Sequence, residues 1–113
     1  MIRIAICAPS TPILADDAAR VTALAEAEFP GVELVIHPQS FAVDGHFAGS
    51  DALRRDALIS CANDPTVDAV WFARGGYGAC RIAEDAISQF SAAAKHKTWL
   101  GYSDAGYLLG ALY

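Results

Sequence analysis

The sequence predicts an α/β fold, namely a three-layer α/β/α Rossmann-like domain with a mainly parallel sheet of about four strands. Four short apolar segments alternate with stretches in which apolar residues recur every three or four positions. Proline and glycine separate these segments, as expected at strand and helix ends. The 113 residues are enough for one domain with its own core. Ligands bind such sheets beyond the carboxyl ends of the strands, so the loops there are the candidate functional regions.

The first half of the chain contains two predicted strands and the helix between them. The strands cover residues 2–7 and 32–37, and each runs into a proline-containing loop. Asp16 or Asp17 is a suitable cap for the helix, which ends at Phe29-Pro30-Gly31. These elements form the first β-α-β unit of a parallel sheet.

The second half repeats this alternation after a loop at residues 39–49. Ser50 is the predicted N-cap of a second helix, which ends before Asp64-Pro65. The third strand is predicted at 67–73 and is followed by a glycine-rich turn and a third helix. A polar connection at 95–97 then leads into the fourth strand and a final apolar helix. The apolar end of the chain suggests a domain from a longer protein.

Composition narrows the class of protein. Hydrophobic residues make up 54% and charged residues 19%, so we expect a further domain or a second copy, as in a homodimer, to cover apolar surface. The net charge of −5 and the lack of a basic cluster argue against nucleic acid and anionic membranes as partners. No apolar run reaches the ~18 residues of a membrane span, and the N-terminus does not resemble a signal peptide. A soluble, cytoplasmic protein is therefore expected.

The cysteines support the same expectation. Cys7, Cys61 and Cys80 are widely spaced and lie among apolar neighbours. This pattern predicts buried, reduced thiols rather than a disulfide framework or a zinc site. Neither a metal nor a cofactor is expected.

The turn Arg74-Gly75-Gly76-Tyr77-Gly78 is the first of two candidate chemical sites. Its glycines allow positive φ angles, so its backbone N–H groups could face a ligand as an anion-binding nest. The turn follows the third strand with the wrong spacing for a dinucleotide fingerprint, and it lacks the lysine of a P-loop. A tight strand-to-helix connection without a binding role is the alternative.

The second candidate site is the strand-to-helix turn around Ser103. Gly101 and Gly106 give it the spacing G-x-S-x-x-G, one residue longer than a nucleophile elbow. Ser103 could be a nucleophile or only the N-cap of the last helix. If the third and fourth strands are neighbours, the Gly76 amide and the amide after Ser103 could form an oxyanion hole.

An acyl-transfer site of this kind also needs a base. The candidates are His37, His46 and His96, and for each a structural or solvated role is the simpler interpretation. None has an acidic residue convincingly placed to orient it. The base is therefore expected outside this chain.

Several motifs, in order along nearly the whole chain, resemble the N-terminal part of the LD-carboxypeptidases, serine peptidase family S66, which includes muramoyltetrapeptide carboxypeptidases and microcin C self-immunity peptidases. The matching segments are Ala8-Pro9-Ser10, Phe47-Ala48-Gly49-Ser50-Asp51 with Arg54 or Arg55, Asp64-Pro65, Ala73-Arg74-Gly75-Gly76-Tyr77-Gly78 with Arg81, and Gly101-Tyr102-Ser103-Asp104. The family usually has Ile/Ala-Thr after the aspartate, whereas this sequence has Ala105-Gly106, so substrate contacts at that point are expected to differ from those of the family.

The resemblance implies that Ser103 is the nucleophile and that the Asp104 and Gly76 amides form the oxyanion hole. It implies that residues 1–113 are the N-terminal, nucleophile-bearing domain and that a C-terminal domain supplies a Glu and a His. The implied reaction is metal-free hydrolysis of an amide between an L-centre and a terminal D-amino acid, as in murein tetrapeptides.

A carboxypeptidase must also hold a substrate carboxylate. Arg74 is the basic group nearest the glycine turn and is the candidate for this role, together with Gly75 and Tyr77. A structural ion pair of Arg74 is the alternative. A different function, a non-catalytic α/β module that binds a small anion or nucleotide at the glycine turn, also fits the residues.

Overall fold

The structure is a computed structural model, and it describes residues 1–74 and 78–101, with the backbone only for Cys80. The strands are β1 (Ile2–Cys7), β2 (Val32–Ile36), β3 (Ala69–Phe72) and β4 (Thr98–Leu100). The helices are α1 (Ala15–Glu28), α2 (Asp51–Asn63) and α3 (Ala83–Ser88). Short 3-10 helices cover Pro38–Phe41, Ala79–Arg81 and Ala92–His96. The predicted α/β fold is confirmed.

The four strands form one parallel sheet in the order β2-β1-β3-β4. Ile6 is paired with Ile36 on one side and with Trp71 on the other, and Trp71 is paired with Leu100. Because all the strands run in the same direction, their carboxyl ends meet at one edge of the sheet. The loops that follow the strands therefore share that edge.

The hydrophobic core lies between one face of the sheet and the helices α2 and α3. Its largest members include Leu58 of α2 and Phe72 of β3, both fully buried, and Trp99 of β4. The Trp99 ring stacks on Phe90 at a centroid distance of 5.5 Å and contacts Phe72 at 5.9 Å. Packing of this kind holds β4 in place beside β3.

Helix α1 lies on the opposite face of the sheet. There, Ala18 and Val21 face Ile6 and Trp71 across a cavity of about 270 Å³. Helices on both faces give the three layers that the β-α alternation predicts.

Several predicted boundaries are confirmed. The first strand covers Ile2–Cys7 as expected, and the Ser50 hydroxyl accepts a hydrogen bond from the Leu53 amide at 3.1 Å, which begins α2. The same helix ends at Asn63, before Asp64-Pro65. In these places a local signal, such as a capping hydroxyl or a proline, determines where the element begins or ends.

Other expectations are wrong in detail. Leu14 occupies the N-cap of α1 without a side-chain hydrogen bond, so neither Asp16 nor Asp17 is the cap. Both lie in the first turn instead, where a carboxylate interacts favourably with the helix dipole, and Asp17 accepts from Arg20 at 2.8 Å. The predicted loop at 39–49 starts within a 3-10 helix because Pro38 suits its first turn.

Two further segments are shorter than predicted. The third strand pairs only over Ala69–Phe72, and the third helix is a 3-10 turn followed by the six residues of α3. The polar connection before β4 forms a 3-10 helix at Ala92–His96, whose N-cap hydroxyl on Ser91 accepts from the Ala93 amide at 3.3 Å. Short apolar and polar segments carry too little periodicity to specify such ends.

Cys7 and Cys61 are buried thiols that lie side by side between β1 and α2. The hydrogen bond with Cys61, together with burial, raises the pKa of Cys7 well above its ordinary value. Burial is therefore confirmed for these two cysteines, whereas the Cys80 side chain lies outside the described residues. Within the described ranges, no helix combines the length and the apolar character that a membrane span requires.

Candidate active site

The carboxyl edge of the sheet brings together the four loops that sequence reasoning singled out. Pro9 and Ser10 follow β1, His37 follows β2, and Arg74 follows β3. Gly101 follows β4, next to the β3 loop, because β3 and β4 are adjacent and parallel. The strand arrangement that a shared oxyanion hole requires is therefore present.

Of the predicted site residues, the structure describes Arg74 alone. Its side chain is exposed, and its Nη1 donates a hydrogen bond to the Pro12 carbonyl at 3.2 Å. This contact ties the start of the glycine turn to the loop after β1. The other predicted residues lie outside the described residues; they are Gly75, Gly76, Tyr77, Ser103 and Asp104.

A buried arginine at this edge is the feature that sequence reasoning did not assign to the site. Arg54 of α2 is 1% exposed, and its Nη1 donates to the Pro9 carbonyl at 2.8 Å and to the Gly78 carbonyl at 2.9 Å. Its Nε donates to the Gly49 carbonyl at 3.3 Å, and its Nη2 pairs with the Asp51 carboxylate. One guanidinium thus contacts three loops. The available signal was helical spacing, since Arg54 shares a face with Ala57, Leu58 and Cys61, which are buried.

Phe47 and Arg81 complete the surroundings of this guanidinium. The Arg54 Cζ lies 4.7 Å from the centre of the Phe47 ring, and the Arg81 Cζ lies 4.9 Å from the same ring. Asp51 also accepts from Arg81, with Nη2 and Oδ2 3.0 Å apart. We call Phe47, Asp51, Arg54 and Arg81 the arginine cluster. In this cluster, two guanidinium groups share one carboxylate and one aromatic ring. Because one negative charge does not balance two positive charges, the hydrogen bonds from Arg54 to carbonyl oxygens supply much of the stabilisation that its buried charge needs.

Gln39 makes a second buried polar connection at the same edge. Its Nε2 donates to the Ala8 carbonyl at 2.7 Å and to the Ala48 carbonyl at 2.8 Å, and its Oε1 accepts from the Ala8 amide at 3.1 Å. The Ala48 amide in turn donates to the Ser10 carbonyl at 3.0 Å. These bonds satisfy backbone groups that would otherwise be buried without partners, and they fix the loop after β1 against residues 39–49.

The histidines occupy separate positions. His37 follows β2, which is three strand spacings, or roughly 14 Å, from β4, and its Nδ1 accepts from the Gln39 amide at 3.1 Å. Burial lowers the pKa of His37, because the charged ring loses solvation when it is buried. The His46 ring meets Phe47 edge-on with centroids 5.3 Å apart, and His96 precedes β4 at the opposite edge of the sheet. In the part of the chain that the structure describes, no group of three metal-ligating side chains occurs.

A parallel sheet with helices on both faces, whose loops are joined at one edge by buried polar side chains, is a Rossmann-like α/β domain. In this class of fold, ligands bind beyond the carboxyl ends of the strands. Comparison with known proteins identifies the family within this class of fold. The family described as the LD-carboxypeptidase N-terminal domain, Peptidase_S66, matches residues 4–113. The chain belongs to this family.

Curated proteins and solved structures agree with that assignment. A protein of Synechocystis sp. named "Putative carboxypeptidase" is 38% identical over 68 residues, which are 60% of this chain and 22% of that protein. A Streptomyces coelicolor protein with the same description is 44% identical over 59 residues, 52% of this chain and 19% of that protein. The crystal structure of muramoyltetrapeptide carboxypeptidase from Oxalobacter formigenes matches with a TM-score of 0.80 and 25% identity over 97% of this chain and 36% of that one.

The fold also occurs in the microcin C7 self-immunity protein MccF. That structure matches with a TM-score of 0.77 and 20% identity over 99% of this chain and 34% of MccF. The chain spans about a fifth of the length of the curated relatives and about a third of the solved structures. It corresponds to their N-terminal part.

Proposed function

We propose that this chain is the nucleophile-bearing half of a serine LD-carboxypeptidase. Its substrate would be the amide between an L-centre and a terminal D-amino acid in murein tetrapeptides or related peptides. Membership in the family supports the carboxypeptidase class. The Glu and the His of the triad would come from a C-terminal domain.

One observation carries the proposal from the family to the residues of this chain. β3 and β4 are adjacent, parallel and paired at Trp71 and Leu100, so the turns after them open at the same edge. In the sequence, Gly76 follows β3 and Ser103 follows β4, each within a few residues of the strand end. Adjacent strands lie about 4.8 Å apart. At this separation, two backbone amides and a hydroxyl from the segments that follow the strands can contact the same substrate carbonyl group.

In the proposed mechanism, the Ser103 hydroxyl attacks the carbonyl carbon of the scissile amide. The base takes the hydroxyl proton and later gives it to the leaving amine, while the Gly76 and Asp104 amides donate to the carbonyl oxygen as it becomes negatively charged. Each such donor is worth on the order of 3 kcal/mol of transition-state stabilisation. Water then hydrolyses the acyl-enzyme by the same route.

Arg74, with Gly75 and Tyr77, is the proposed site for the terminal carboxylate of the substrate. The Arg74 side chain is exposed, and its one described hydrogen bond is to the Pro12 carbonyl. A guanidinium has five N–H donors, so this contact leaves donors for a bidentate pair with a carboxylate.

The test is labelling of the full-length gene product with a fluorophosphonate probe. We expect covalent labelling at Ser103, loss of labelling in Ser103→Ala, and normal labelling in the control Ser60→Ala, whose serine is exposed on α2. Absence of labelling in the native protein, or labelling that persists in Ser103→Ala, would contradict the proposal. If phosphate or a nucleotide stabilises an unlabelled protein against heating, the chain is instead an anion-binding module.

A further inference from the structure

We propose that Arg54 is the positioning residue for the glycine turn, and that it holds Gly78 against the loop after β1 so that the Gly76 amide can face Ser103. The catalytic part of this inference, that the Gly76 amide faces Ser103, rests on the proposed function. Its structural basis is the pair of hydrogen bonds from one nitrogen, Arg54 Nη1, to Pro9 at 2.8 Å and to Gly78 at 2.9 Å.

The position of Arg54 is costly in terms of stability. The side chain is wholly removed from solvent, and burial of a charge is unfavourable unless hydrogen bonds and an opposite charge compensate. A hydrophobic side chain on the same face of α2 would avoid this cost. The described contacts of the guanidinium lie at the carboxyl edge of the sheet, which indicates that its role concerns the loops there.

Gly78 fits closely against this cluster. Its φ angle is +138°, and a Cβ added there would lie 3.0 Å from the Phe47 ring and 3.1 Å from Arg54 Nη1. A side chain at position 78 would therefore press on the ring and the guanidinium, and its backbone would have a φ angle that residues with a side chain rarely adopt. Its carbonyl also accepts from the Arg81 amide at 3.2 Å, so the same oxygen begins the 3-10 helix at Ala79–Arg81.

The arrangement explains why Arg54 rather than Arg55 has this role. Arg55 is the next residue on α2, but it points outward and pairs with Asp56 at 3.1 Å and with Asp85 at 3.0 Å on the surface. Surface pairs of this kind contribute little. Arg55 is therefore a matched control, since it has the same chemistry and lies on the same helix, while its described partners are the surface carboxylates of Asp56 and Asp85.

The structural arm of the test uses 15N relaxation of the 113-residue chain. We expect a Gly78 order parameter of about 0.85 in the wild type, and below about 0.6 in Arg54→Met and in Arg54→Lys. Lysine keeps the charge but lacks the planar set of donors that can bond several carbonyl groups at once. The Arg54→Lys variant should therefore not restore the rigidity of Gly78. Gly31, on the far side of the sheet, and the Arg55→Met variant should remain as in the wild type. A flexible Gly78 in the wild type, or a rigid one in Arg54→Lys, would overturn the proposal.

The catalytic arm uses LD-peptide hydrolysis by the full-length gene product. We expect kcat to fall about 10- to 100-fold in Arg54→Lys with KM within about twofold, because a displaced oxyanion donor acts on the transition state. Gly78→Ala should likewise lower kcat and leave KM nearly unchanged. Because Arg54 is intact in this variant, it tests the proposal even if the Arg54 variants do not fold. An active enzyme whose kcat is unchanged in both variants would overturn the inference. If the wild-type protein is inactive, the proposed function is refuted. In that case the order parameter of Gly78 alone tests whether Arg54 holds the turn.

Discussion

Lys97 is a buried lysine whose ammonium group joins β4 to the connection between α2 and β3. Nζ donates to the Asp64 carbonyl at 2.6 Å and to the Val67 carbonyl at 2.7 Å, and the residue is 8% exposed. We expect Lys97→Met to lower the free energy of unfolding by about 1–3 kcal/mol, because two carbonyl groups lose a charged donor. Urea denaturation measures the change.

The control for this prediction is Lys95→Met. Lys95 is exposed in the preceding 3-10 helix, so its replacement should change stability by less than about 0.5 kcal/mol. Equal stability of the two variants would show that the contacts of Lys97 contribute nothing.

His37 gives the protein a pH dependence of stability. Its folded-state pKa is lowered by burial from the ordinary value of 6.5, so below that value the unfolded state binds more protons. The contribution of His37 is therefore present above about pH 6.5 and is lost as the pH falls towards the folded-state pKa. Its Nδ1 accepts from the Gln39 amide, which also requires the neutral ring.

The variant His37→Asn isolates this effect, since an amide oxygen can accept the same hydrogen bond without titrating. We expect the free energy of unfolding to fall less between about pH 7 and pH 5 in the variant than in the wild type. Denaturant melts across this range give the two slopes. Identical slopes would mean that His37 is not the titrating group.

The two neighbouring arginines show how far residue-level reasoning reaches. Helical spacing places Arg54 with the buried residues of α2 and Arg55 beside them, and family motifs matched either one. Only the folded chain shows that Arg54 contacts Pro9 and Gly78, which are 45 and 24 residues away in sequence. Contacts over such separations depend on how the strands are ordered, and no local pattern encodes that order.

At the scale of elements, α2 begins where its sequence signal is strongest. Ser50 has an extended backbone, and its hydroxyl accepts from the Leu53 amide, which satisfies one of the unpaired donors of the first turn. We expect Ser50→Ala to cost about 1 kcal/mol of stability. Thermal and urea unfolding measure it.

Ser60→Ala serves as the control because Ser60 is exposed in the interior of the same helix. Alanine is the better helix former there, so stability should stay the same or rise slightly. A loss at Ser60 as large as that at Ser50 would contradict the capping role.

Elements without a strong terminal signal were predicted less accurately. The predicted cap of α1 was wrong because Leu14 occupies that position, and α3 is only six residues long. The third strand was predicted too long, since pairing with β1 and β4 limits it to Ala69–Phe72. Strand length depends on the partner strands, so it is a tertiary property even where the apolar run is clear.

At the scale of the whole molecule, the two faces of the sheet differ. Among the described residues, α2 and α3 pack on one face of the sheet, and α1 packs on the other face, beside Ile6 and Trp71. On β4, which is paired with β3, Leu100 is 41% exposed. The described elements therefore cover this second face of the sheet only in part.

The proposed division of the triad leads to a prediction for the 113-residue chain by itself. We expect no measurable hydrolysis of an LD-tetrapeptide, because the proposal assigns the Glu and the His of the triad to a C-terminal domain. Within this chain, His37 lies roughly 14 Å from β4, His96 lies at the opposite edge of the sheet, and the His46 ring packs on Phe47. A chromatographic assay for the released D-amino acid tests this. Turnover that disappears in Ser103→Ala would contradict the assignment of the base to another domain.

The sequence alone determined the fold class, the order of the strands along the chain and the family. Those properties follow from the period of apolar residues and from short motifs, which are local in sequence. The tertiary structure decided the strand order β2-β1-β3-β4, the adjacency of β3 and β4, and the burial of Arg54 against Pro9 and Gly78. The physical reason is that packing and hydrogen bonding between distant segments select one arrangement among several with the same local pattern.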